Sequence, residues 1–168
     1  LLKELLYAVG LKPDCLFLAN NTLHKAYDLI EDQLDIQIPF FHAVRLTRDD
    51  LVRRGVSKAL FLGTSFTMED DFFTSVLRQA NIDPIIPTAG ERTQIQAAQS
   101  RLASGEKTAD IITFFKQLLT HYQQQGVNNV VLACTELPLA IDASITSMTV
   151  TNSLELQCRA AVDFVLGT

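Results

Sequence analysis

Hydrophobic and polar residues alternate along this chain in two rhythms. Short, largely apolar runs occupy Cys15 to Ala19, Phe40 to Val44, Lys58 to Leu62, Ile85 to Ile86, Asn129 to Ala133 and Ser147 to Val150. Their length and unbroken apolar character predict buried parallel strands. Between them, apolar residues recur at helical spacing. Leu1, Leu2, Leu5, Leu6 and Val9 form one stripe, and Ile111, Ile112, Phe115, Leu118 and Leu119 form another.

The punctuation agrees. Gly10 with Pro13 closes a first helix. Asn20, Asn21 and Thr22 read as the turn and N-cap of a helix through about Gln33. Thr47, followed by Asp49 and Asp50, opens a helix that Gly55 closes. Further helices are expected over about 68–79, 91–103 and 108–125, with a short one after Pro138 and a last one capped by Asn152 or Ser153. Strands alternating with helices predict a parallel α/β architecture. The opening stripe predicts that the chain starts inside a helix, with residues expected upstream.

Composition narrows the class. Of 168 residues, 48% are hydrophobic and 20% charged, which suits a globular domain or two small lobes. The formal net charge of −5 gives no electrostatic reason to seek nucleic acid or an anionic membrane. The Arg45, Arg48, Arg53 and Arg54 cluster is diluted by Asp49 and Asp50 and reads as a solvated helix face. No apolar run approaches the roughly 18 residues of a membrane helix. Three widely spaced cysteines, Cys15, Cys134 and Cys158, argue against a disulfide framework or a zinc site and suit a reducing, cytoplasmic setting. No metal-ligand spacing links the histidines and acids.

Two stretches look like one element used twice. Phe17 to Leu23 reads FLANNTL, and Val131 to Leu137 reads VLACTEL. Each is an apolar strand that stops at a small residue and turns through polar side chains towards a helix. That is the shape of a site at the carboxyl end of a parallel strand. Only the second copy has a nucleophilic or basic side chain, Cys134; Asn20 stands at the matching place in the first. Helical amides beside Cys134 would favour its thiolate, making it a candidate base or nucleophile. Thr135, Asn21 and Thr22 can hold a carboxylate, and Glu136 can orient groups or move protons. Plainer readings stand beside these: a small buried cysteine, and an ordinary turn with its cap. Cys15 and Cys158 are expected to be packing residues. His24 either lines the first turn or sits on a helix surface, and His42 and His121 receive no role.

At these residues the chain resembles the aspartate/glutamate racemase family, over nearly its whole length. Cys134-Thr135-Glu136-Leu137 is similar to the family's second signature, Cys-Thr-Glu and an aliphatic residue. Asn20-Asn21-Thr22-Leu23-His24 is similar to its first, Cys-Asn-Thr-Ala-His. Leu62 to Met68 resembles the Leu-Gly-Thr segment that opens the second lobe, and Pro39 with His42 resembles another recurrent strand. The resemblance implies two pseudo-symmetric α/β lobes, each a short, mainly parallel sheet flanked by helices, with the site in the cleft between them. Lobe one would be residues 1–46 plus 148–168, and lobe two 47–147. It implies no cofactor, no metal, a small amino or dicarboxylic acid as substrate, and a homodimer. It adds Thr64 and Asn20 to the substrate-binding set of Asn21, Thr22, Thr135 and Glu136.

In the family, two cysteines face opposite sides of the substrate α-carbon, one removing a proton as thiolate and the other returning one as thiol. This chain departs in three places. Asn20 replaces the first cysteine. Asn152-Ser153-Leu154 and Gln157 stand where the family tends to have Asp-Thr-Thr and a His. The family's first strand and Gly-rich loop have no counterpart before Leu1. Three outcomes stay open: racemisation through Cys134 with another acid, a one-base reaction of the arylmalonate decarboxylase type, or a non-catalytic protein that binds small acids.

Overall fold

In a computed structural model, the structure describes residues 1–34 and 38–167. The expected first-lobe range includes 35–37 and 168, which lie outside the described residues. In chain order the elements are α1 (Leu2–Gly10), α2 (Leu23–Asp28), a 3₁₀ turn (Glu31–Gln33), α3 (Ala43–Arg53), β1 (Lys58–Gly63), α4 (Ser65–Glu69), α5 (Asp71–Gln79), β2 (Asp83–Ile85), α6 (Ala89–Ala103), α7 (Ala109–Gln124), β3 (Asn129–Ala133), a 3₁₀ turn (Leu137–Leu139), β4 (Thr149–Asn152) and α8 (Ser153–Leu166).

The architecture is α/β, as expected. Four strands form one parallel sheet in the order β2-β1-β3-β4. β1 and β3 are buried along nearly their whole length, which is why both are continuous apolar runs. Leu60, Phe61, Leu62, Val130, Val131 and Leu132 form the centre of the main core, packed between Phe73 and Leu77 of α5, Ile95 and Leu102 of α6 and Phe115 and Leu119 of α7. Gly126, at φ +79°, takes the left-handed conformation that lets the chain leave α7 and turn into β3. A separate small cluster, Leu5, Tyr27 and Leu34, joins α1 to α2, with Phe40 stacked on Tyr27 at 3.9 Å between ring centroids.

The sheet order sets where a ligand fits. The chain passes from β1 to β2 on one side, and β3 then pairs with β1 on the other. The carboxyl ends of β1 and β3 therefore flank the switch point of the sheet, the usual place for a crevice. Gly63 and Ala133 are register partners there. A Cβ on Gly63 would meet the Thr67 side chain at 3.0 Å and the Ala133 carbonyl at 3.3 Å, so this close approach requires glycine.

The first 57 residues depart from the sequence expectation. Cys15 to Ala19 is not a regular strand: a single parallel bridge joins Leu16 to Phe40, with Leu16 N–H donating to Pro39 and Phe41 N–H donating to Leu16. The expected strand to Val44 ends at that bridge because α3 begins at Ala43. His42 caps α3, its Nδ1 accepting the Arg45 amide, and Ala43, Val44, Thr47 and Leu51 turn inward at helical spacing. Thr47 is thus buried inside the helix it was expected to open. The first helix ends through Leu11, with Lys12 rather than Gly10 at positive φ.

The helix expected through Gln33 stops at Asp28 and continues as a 3₁₀ turn. The helix expected over 68–79 divides where the Asp70 side chain accepts the Phe72 amide and starts α5 anew. The last strand runs two residues later than expected, and Asn152 caps α8 through the Leu154 and Glu155 amides. Cys158, expected to be a packing residue, is exposed on α8, and Cys15 is half-buried.

Candidate functional site

Thr64 and Cys134 leave the sheet side by side, each one residue beyond the Gly63–Ala133 pair. Thr64 caps α4, its hydroxyl accepting the Thr67 amide at 3.2 Å and lying 3.0 Å from the Thr67 hydroxyl. Opposite them sits the first turn. Asn20 Oδ1 accepts the Leu23 amide at 3.0 Å and so closes the start of α2. A cavity of about 180 Å³ lies between, lined by Asn20, Asn21, Thr22, Thr64, Cys134, Thr135 and Glu136 together with Thr67, Gln99 and Ala133. Every site residue expected from the sequence is in this one cavity. Its volume falls below the range of about 300–1,000 Å³ of drug-sized sites and suits a small ligand.

The thiol does not have the electrostatics expected of it. Cys134 is 4% exposed, and its Sγ donates to Glu136 Oε2 at 3.0 Å. Burial, then the Glu136 carboxylate, pushes its pKa up to about 12, outweighing the amides of Glu136 and Leu137. The element that follows is a three-residue 3₁₀ turn, too short to supply the helix dipole that would favour a thiolate. At neutral pH the free site holds Cys134 as a thiol.

Glu136 is the charged partner. Burial acts to raise its pKa. Donation from the Cys134 thiol, the Thr135 hydroxyl (2.7 Å) and the Gln99 amide (3.2 Å) more than offsets this and holds the carboxyl below its ordinary range.

The first turn is fixed from behind by histidines. His24 is fully buried. Its Nε2 accepts the Ala43 amide at 3.1 Å, so Nδ1 carries the proton and donates to the Asn20 carbonyl at 2.9 Å. The Gln157 amide of α8 lies 3.2 Å from Nε2 and donates to the carbonyls of Phe41 and Leu18. His42 packs on His24 at 4.3 Å between ring centroids, and burial, with His24 beside it, lowers its pKa to about 3. His24 is lowered too, first by burial. The Lys25–Asp70 ion pair, at 2.5 Å, ties α2 to the start of α5.

Sequence reasoning missed Thr67, Gln99, the burial of His24 and the role of His42. Thr67 carried a signal, since it lies three residues after the Thr64 cap. Gln99 carried none until α6 was placed beside the turn that holds Glu136. Among the described residues, no group of three or more His, Cys, Asp or Glu is placed to hold a metal ion, and no helix is long and apolar enough to cross a membrane.

A parallel α/β protein with a small polar cleft at its switch point, a thiol and a carboxylate on one wall, has the layout of a small-molecule site. The sequence pattern of the Asp/Glu/Hydantoin racemase family matches residues 1–161, and the chain belongs to that family. Solved structures agree. An aspartate racemase homologue of Pyrococcus horikoshii is 27% identical, with a TM-score of 0.82 over 97% of this chain and 70% of its own. A Yersinia pestis protein described as a candidate Asp/Glu racemase is 26% identical, with a TM-score of 0.83 over 95% of this chain and 70% of its own. The aspartate racemase of Picrophilus torridus shares the fold, at 23% identity and a TM-score of 0.77 over 96% of this chain and 65% of its own.

Proposed function

We propose that this protein acts without a cofactor at the α-carbon of a small aspartate- or glutamate-like acid, with Cys134 as its sole reacting thiol. The observation that carries this is the Cys134–Glu136 contact on one wall of a cavity whose other wall, Asn20, has no titratable group. Asn21, Thr22, Thr64 and Thr135 hold the carboxylate and amino groups. Cys134, protonated at neutral pH, gives its proton to the carbanion-like carbon from one face. In the reverse direction Glu136 takes the thiol proton, and the thiolate so formed removes the α-hydrogen. A substrate ammonium beside the sulfur favours that ionisation by its charge. The Asn20 carboxamide has no proton to exchange usefully, and its oxygen is spent on the Leu23 amide. The chemistry is therefore one-sided, and the one-base lyase remains its nearest neighbour among reactions.

The two lobes, 1–46 plus 148–168 and 47–147, belong to this reading; the separate apolar cluster of α1 and α2 supports the division, while β4, inside the first range, pairs with β3 of the second. So does a cytoplasmic homodimer, supported by the free cysteines and by exposed apolar residues such as Val162, Val165 and Leu166 on α8.

Incubation with L- and D-aspartate and glutamate in heavy water tests the reading. Loss of the α-proton signal from one enantiomer, without inversion and absent in Cys134→Ala, is the expected result. No exchange with any of the four acids would overturn it in favour of the binding protein.

A further inference from the structure

A chain of side-chain amides runs from one strand end to the other behind the cavity. It starts at the Ser65 amide, in the first turn of α4, where backbone N–H groups have no partner within the helix. Ser65 N–H donates to Gln96 Oε1 at 2.8 Å. Gln96 Nε2 donates to Gln99 Oε1 at 3.0 Å. Gln99 Nε2 donates to Glu136 Oε2 at 3.2 Å, the same oxygen that accepts the Cys134 thiol.

The direction of this chain is fixed by chemistry. A backbone N–H only donates, so the Gln96 carbonyl must face Ser65 and its NH₂ must face Gln99. The Gln99 carbonyl is then spent, and its NH₂ must face the carboxylate. Hydrogen bonds in series polarise one another in the same sense.

We propose that Gln99, seated by Gln96, is a positioning residue that keeps the Glu136 carboxylate ionised and turned towards Cys134. This rests on the proton-transfer role proposed for Glu136. It also links the turns that follow β1 and β3, since α6 is hydrogen-bonded to Ser65 in one and to Glu136 in the other.

The test is a ¹³C titration of the Glu136 side-chain carboxyl in the intact protein, with thermal unfolding alongside. Gln99→Met keeps the side-chain length and deletes the donor. It should raise the Glu136 midpoint by about one unit. Gln96→Met, which frees the Gln99 amide to turn, should give a smaller rise of the same sign. Gln94→Met, on α6 beside the groove with Phe114, is the control and should give none. In the exchange assay the acid limb of the rate profile should move up with the midpoint.

If Gln99→Met does not fold, Gln99→Asn keeps an amide but withdraws it from the carboxylate, with the same predicted rise. An unchanged midpoint in the folded Gln99 variant, or an equal shift in Gln94→Met, would overturn the proposal. Absence of exchange by the unaltered protein would sink the proposed function while leaving the carboxyl titration to judge the positioning role of Gln99.

Discussion

The two strand-end turns share a plan and differ in what holds them. The second turn leaves a strand buried along nearly its whole length, has a neighbouring strand on each side, and sets a thiol against a carboxylate. The first leaves a segment with one bridge, and its order comes from behind, through His24, Gln157 and the α3 amide. Its Asn20 side chain acts as a helix cap. A turn seated on a sheet can place a reactive group; a turn held by side chains can shape a wall. The difference teaches that a repeated sequence element need not mean a repeated chemical role.

The comparison breaks first at Cys134. Cys134→Ala should lower α-proton exchange by about 10³-fold, the scale of a lost general acid–base group. A melting point within a few degrees of the parent would show that chemistry, and not folding, was lost. The first turn should instead respond through stability. His24→Ala should cost about 3 kcal/mol, since it opens a buried space and strips partners from the Asn20 carbonyl and the Ala43 amide. Denaturant unfolding measures it.

The same histidines give the first region a pH signature. His24 and His42 have lowered pKa values in the folded chain, so the unfolded chain binds their protons first. Stability should be whole above about pH 6.5, the unfolded value, and should fall as pH drops from there towards about 3, where His42 protonates when folded. His42→Gln should flatten that fall. The second turn should show the opposite signature. A Cys134 thiol held to about 12 stabilises the fold up to the ordinary thiol range near pH 9, and that contribution is lost as pH rises further.

A smaller effect sharpens the electrostatic half of the contrast. Glu136→Gln removes a carboxylate that holds the Cys134 proton, so alkylation of Cys134 by iodoacetamide at pH 9 should speed by about tenfold, one unit of pKa. Peptide mass spectrometry separates it from Cys15 and Cys158. Burial remains, so the thiol should still titrate above its ordinary value. Smallest of all, Asn20→Ala should cost about 1 kcal/mol, the worth of a helix cap, and leave the Cys134 chemistry in place.

Much of this was legible in the residues. β3 matches its expected range, and the α6 start is marked by a Thr88–Glu91 capping box. The residues of the two polar turns fall in one cavity, as short polar turns after apolar runs suggest, while Thr64 and Asn20 entered the set through the family resemblance. What was hidden depended on distant partners. Nothing local says that Phe40 to Val44 becomes a helix at Ala43, because the cap is His42 and histidine is not a usual capping residue. Nor does any local feature say that the Cys134 thiolate is disfavoured. That follows from burial and from Glu136 folding back two residues, which spacing cannot weigh against the amides.

Installing a thiol opposite Cys134 tests the one-sided account most directly. Asn20→Cys and the parent protein would be compared in heavy water, with chiral chromatography of each aspartate and glutamate enantiomer. The account predicts exchange without inversion by the parent, and inversion gained in the variant through a donor on the far face. Inversion by the parent, or no inversion in a folded Asn20→Cys protein that still exchanges, would contradict it.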